Sequence, residues 1–219
     1  MKRTDKKAGK LLSPLVRSFA IELGYKHEGP MELARADGNN PATWRLIFDP
    51  RGRPLNYSFA WSAGVTIERL AWLIWDEVED FTRGTVGLPV HLLLPGQEPT
   101  EWYEFADQEQ AHALLPKLLH EYRNYVLPFL VTYSAADELE AKLTSPDPKD
   151  WFVLNAERRT IVLAAIKYDR GAIDDAEKLL KDAMQERADA ELKYRLPIQR
   201  ALSRLAARIR GDPVKYFAR

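Results

Sequence analysis

The sequence predicts an α+β protein, with an N-terminal antiparallel sheet covered by helices and an all-helical C-terminal part that holds one repeat-like helical hairpin. Three observations predict it. Apolar residues recur at helical spacing at Leu12, Val16, Phe19, Ala20 and Leu23, and again at Ile67, Leu70, Ala71, Ile74, Val78 and Phe81. Between these runs the period drops to two, most plainly where Leu55, Tyr57, Phe59 and Trp61 alternate with Asn56, Ser58 and Ala60. Beyond the proline-rich segment SPDPKD, residues 145–150, no stretch reads as a strand.

Taken in order, residues 1–9 form a charged, mobile leader. The first helix starts at Leu12, tolerates Pro14 in its first turn and stops at Gly24. Met31 to Ala36, Trp44 to Phe48 and Leu55 to Trp61 read as short strands, separated by the turn-forming runs DGNNP and DPRGRP. The helix over 67–81 lies across that sheet. Further strands are expected at Val86 to Leu94 and at Glu101 to Phe105. Asp107 is placed to cap a long helical segment that Pro116 and Pro128 interrupt, and Ser134 to cap a short helix ending near Leu143. Asn155 to Tyr168, Asp174 to Arg187 and Leu192 to Ile209 read as helices. The expected organisation is therefore a leader (1–9), an α+β domain (10–144) and a helical domain (151–219), with few contacts crossing the linker.

Composition limits the chemistry. The 219 residues carry 32 Lys+Arg and 32 Asp+Glu, so bulk charge recruits neither nucleic acid nor an anionic membrane. The chain has no cysteine, which removes disulfides, thiolate catalysis and thiolate metal sites. The basic N-terminus is followed by an apolar run that Ser13, Pro14 and Arg17 break, so no secretion signal is read and a cytoplasmic location is expected. No uncharged apolar stretch approaches the ~20 residues that span a bilayer.

Motifs for catalysis are sparse. The sequence has no phosphate-binding loop, dinucleotide fingerprint or nucleophile elbow. His27, His91, His112 and His120 lack metal-ligand spacing, so no metal or cofactor is expected. Glu101, Glu104, Asp107 and Glu109, flanked by Trp102, Tyr103 and Phe105, suggest a glycoside-type carboxylate hydrolase as an alternative function, although acids at a helix start also suit the helix dipole. Arg200, Arg204 and Arg208 recur every four residues beside Ile198, Leu202, Leu205 and Ile209. That basic ridge either contacts phosphates, as in a nucleic-acid-binding accessory protein, or is neutralised by the acids of the preceding helix. Arg51 and Arg53 in DPRGRP occupy a turn that Asp49, Pro50, Gly52 and Pro54 suffice to explain, yet a loop held by aromatic strands suits protein recognition, with Trp61 as a neighbouring anchor.

Two resemblances add to this reading. LAAIKYDRGAIDDAEKLLKDA, with Gly171 at the turn and Ala164 and Ala176 at the helix approach, resembles a single tetratricopeptide repeat. The order of a helix ending in LGYKHEG, strands with an arginine-containing turn, VGLPVHLLLP and then EYRNYVLPFLVTYSAADELEAKL resembles an uncharacterised bacterial family, the domain of unknown function numbered 4304, over residues 10–143. The resemblance implies a toxin-immunity or defence-associated protein that binds a partner, and it supplies no active-site residues. The expected function is non-enzymatic protein binding, with a toxin or defence-complex subunit as partner and Arg51, Arg53, Trp61, Arg200, Arg204 and Arg208 as contact residues.

Overall fold

The structure, a computed structural model, describes residues 3–52, 56–74, 85–96, 102–146, 155–188 and 192–211. It opens on a long helix, α1 (Arg3–Leu23). Residues 3–9 of the expected leader belong to this helix, and residues 1–2 lie outside the described residues. Asp5 and Ala8 are buried with Leu12, Leu15, Val16, Phe19 and Ala20, and the Asp5 carboxylate accepts the backbone N–H of Gly52 at 3.0 Å. The charges around them hid that stripe from a reading by composition. Pro14 thus stands inside the helix rather than in its first turn. Gly24, at φ +70°, ends α1 in the left-handed conformation that glycine adopts without strain.

Six strands follow among the described residues: β1 (Lys26–Gly29), β2 (Glu32–Ala36), β3 (Ala42–Gly52), β4 (Tyr57–Ile67), β5 (Val86–Pro89) and β6 (Tyr103–Phe105). They form one antiparallel sheet in the order β1-β2-β3-β4-β5, with β6 also pairing β4. The expected turn DPRGRP is displaced. Asp49 to Gly52 remain in β3, with Pro50 opposite Phe59 and Arg51 opposite Ser58, because Phe59 continues the buried face and half-buried Pro50 stands beside it. Val86 to Leu94 divides into β5 and a short 3-10 turn at Val90–Leu93. The expected helix over 67–81 is described to Ile74 as α2 (Glu68–Ile74), and its remainder lies outside the described residues.

One face of the sheet is core. Trp44, Leu46 and Phe48 on β3 stand opposite Val65, Ala63 and Trp61 on β4, all buried. Phe19 of α1 meets Phe48 and Trp61 edge-on, with ring centres 5.8 and 5.6 Å apart. The same layer contains α3 (Gln108–Ala113), α4 (Leu115–Glu121), a π-helical turn (Tyr122–Val126), α5 (Leu127–Ser134) and α6 (Ala136–Thr144). Asp107 caps α3 as expected, accepting the Gln110 N–H at 2.9 Å. Pro116 stands in the first turn of α4, where a missing N–H costs little, and Pro128 follows directly on the π-helical turn at the start of α5. Ser134 caps nothing. Its hydroxyl accepts the Trp44 indole N–H at 2.7 Å and donates to the Leu130 carbonyl, and Ala135 takes the cap position of α6.

The C-terminal helices are α7 (Ala156–Asp169), α8 (Ile173–Glu186) and α9 (Leu192–Ile209). Asn155 caps α7, and Gly171 at φ +81° turns the chain between α7 and α8, where Ala164, Ala176 and Leu180 are fully buried. These helices continue the core of the sheet domain. The Trp72 ring lies 4.9 Å from Tyr168, Arg69 pairs with Asp169, and the Arg159 Nε donates to the Leu143 carbonyl. The expected boundary of few contacts at 145–150 is corrected by these side chains: α2 has an apolar face, Leu70 to Ile74, that α7 and α9 cover. Residues 147–150 lie outside the described residues. No described helix is long and apolar enough to cross a membrane.

Candidate functional site

The second face of the sheet differs from the first in composition. Thr43, Arg45, Ile47, Asp49 and Arg51 project from β3 opposite Thr66, Gly64, Ser62, Ala60 and Ser58 of β4. Small and polar residues thus replace the aromatic stack. Ile47, Ala60 and Ser62 are half-buried, Ser58 and Thr66 are buried, and α1 and α5 pack on the other side through Phe19 and Ser134. Both arginines are held by carboxylates: Arg45 by Glu28 from β1 and by Glu32 from β2 at 3.1 Å, and Arg51 by Asp49 at 2.8 Å. Alternation accounts for this placement, since residues 43 to 51 at every second position share one face. Arg45 was missed in the sequence because its partners are 13 and 17 residues away and become neighbours only through strand pairing.

The expected contact residues scatter. Arg51 is exposed on the outer face, and Arg53 lies outside the described residues. Trp61 is corrected: only 2% exposed and stacked on Phe48, it belongs to the core. The ridge on α9 turns toward α2. Arg204 Nη1 donates to the Leu73 carbonyl at 2.8 Å, and the Arg208 guanidinium lies 5.6 Å from the centre of the Trp72 ring, a cation–π contact. Arg200 is half-buried on the same helix. The arginine spacing therefore serves helix packing.

The expected carboxylate group does not assemble among the described residues. Glu104 is exposed on β6 while its neighbours Tyr103 and Phe105 point into the core, Asp107 is engaged as a cap, and Glu109 is exposed; Glu101 lies outside the described residues. A different acid is buried. Glu121, only 4% exposed, accepts the Tyr103 hydroxyl at 2.7 Å, with Lys117 3.8 Å from its other oxygen and 4.7 Å from the centre of the Tyr103 ring. Beside it the hydroxyls of Tyr25 and Tyr122 meet at 3.1 Å. Burial pushes both phenols above the usual tyrosine range; the Tyr122 neighbour adds to this at Tyr25, and Arg35 opposes it at both. No group of three or more potential metal ligands occurs among the described residues.

Comparison with protein-family models, curated proteins and solved structures finds no match for this chain.

Proposed function

We propose that the chain acts by binding a protein partner through the outer face of its sheet, without catalysing a reaction. The observation that carries this reading is the pair of arginines, Arg45 and Arg51, held in place by carboxylates around half-buried Ile47, Ala60 and Ser62. An arginine fixed before association loses little side-chain entropy on binding, and arginine is enriched among the residues that dominate interface energies. The resemblance to the bacterial family numbered 4304 adds a setting to the proposal, toxin immunity or a defence assembly in the cytoplasm.

The test compares two faces. Ala60→Arg adds bulk to the outer face opposite Asp49, whose carboxylate accommodates the new charge, whereas Val131→Arg alters the exposed side of α5. A partner captured from the native host by the unmodified chain and by Val131→Arg, and lost with Ala60→Arg in a protein of unchanged melting temperature, is the expected result. Equal capture by both variants, or no saturable partner, refutes the assignment.

A further inference from the structure

At the edge of the sheet, on the side of α1, a cleft of about 350 Å³ opens between the helix and the β1–β2 turn. Its helical wall carries Ser13 and Arg17, one turn apart, and the opposite wall carries His27, Glu28, Gly29 and Pro30. That volume falls at the lower end of the range for small-molecule sites, roughly 300–1,000 Å³.

Strand alternation sets the charge of the cleft. His27 pairs with Leu33, which pairs with Leu46 on the buried face, so His27 belongs to the helix side of the sheet. Glu28, the next residue, reaches the opposite side, where Arg45 engages its carboxylate. Glu28 lines the cleft as well, and its charge is neutralised by Arg45. No hydrogen bond or ion pair joins the Arg17 guanidinium, the His27 ring or the Ser13 hydroxyl to another described residue. Three donors from two elements thus line one opening with their hydrogen-bonding capacity unused. Continuing along α1, the position one turn beyond Arg17 is Ile21, which is 74% exposed although large and apolar.

We infer that this cleft binds an organic carboxylate: Arg17 takes the carboxylate through its guanidinium fork, Ser13 and His27 donate to the same oxygens, and the apolar body lies along Ile21. A guanidinium matches the two oxygens of a carboxylate in a bidentate pair, a stronger bond than a neutral donor makes. The site is separate from the outer face of the sheet, so the two proposals fail independently.

The experiment follows the backbone amide spectrum of the full chain by NMR during titration with hexanoate, with its neutral amide and with inorganic phosphate. Hexanoate should shift Ser13, Arg17, Ile21, His27 and Gly29 saturably, its amide should not, and phosphate should bind more weakly because it leaves Ile21 uncovered. Arg17→Gln, at an exposed position, should weaken hexanoate about tenfold, while Arg51→Gln should leave its affinity unchanged. Ile21→Ser should weaken hexanoate and not phosphate. Unchanged affinity in Arg17→Gln, or shifts spread over the other surface arginines, overturns the site. Phosphate binding as tightly as hexanoate overturns the ligand class.

Discussion

Replacing Gly171 by alanine isolates one backbone conformation in the C-terminal helical hairpin. Gly171 sits at φ +81°, and a Cβ built there meets no heavy atom within 4 Å. Packing therefore contributes nothing to the change. A left-handed backbone costs an L-residue roughly 1–2 kcal/mol, against which alanine regains about 0.4–1 kcal/mol by restricting the unfolded chain. The net expectation is a loss of about 1 kcal/mol, equivalent to some 2–4 °C in melting temperature for a chain of this length. Gly38 provides the control, since a Cβ there also meets nothing within 4 Å and its φ lies outside the left-handed region. Gly38→Ala should be neutral or stabilise by a few tenths of a kcal/mol. Asparagine tolerates the left-handed region better than alanine, so Gly171→Asn should be the milder change. Urea denaturation of the three variants decides the matter. A Gly171→Ala protein as stable as Gly38→Ala refutes the assigned turn between α7 and α8.

Ser134→Ala should cost about 1–3 kcal/mol in the same denaturation assay, because it leaves the Trp44 indole N–H buried without its acceptor. Raising the pH should leave the contribution of Tyr25 and Tyr122 intact below about pH 10 and erode it above, since the folded state holds both phenolic protons more tightly than the unfolded chain. Tyr25→Phe should flatten that decline in a stability–pH series. A fragment ending at residue 146 should lose its cooperative melt in calorimetry, because it uncovers Trp72, Leu73 and Ile74 on α2. At roughly 1.5–3 kcal/mol per side chain, that loss approaches the whole net stability of a typical protein. Glu104→Gln, at an exposed position, should leave partner capture unchanged.

Periodicity made much of the fold legible. The two-residue alternation of β4 announced the face that α1 covers, and the alanines and glycine of the α7–α8 hairpin announced its close approach and its turn. What stayed hidden depends on neighbours remote in sequence. The edge strand β1 reads KHEG and carries no apolar alternation, because only one of its backbone edges is paired and its side chains are mostly exposed. The first turns of α1 looked like a leader because Asp5 is buried by a hydrogen bond to the far end of β3, a partner 47 residues away. The arginines of α9 matched a phosphate-binding spacing equally well as a packing ridge, and only the position of Trp72 and the Leu73 carbonyl separates the two. The carboxylate cleft was invisible for the same reason: Arg17 and His27 carry no shared motif, and the turn at Gly24 brings their elements together.

The π-helical turn between α4 and α5 sets how the chain tolerates a change of length at that point. There the Leu127 N–H bonds to the Tyr122 carbonyl, five residues back, and the wider turn relieves the clash that the Pro128 ring would make with the Asn124 carbonyl in a tight helix. Deleting one residue from this turn would restore ordinary helical winding at nearly the same phase, whereas deleting one from the α-helical part of α4 would rotate the helix beyond it by about 100° about its axis, the angle of one residue at 3.6 per turn. Phe129, Leu130 and Tyr133 would swing from the interior, and Ser134 would leave Trp44. The wide turn holds one residue more than an α-helical turn without changing the phase of the helix beyond it, so a one-residue deletion is tolerable within the turn and not in the helix before it.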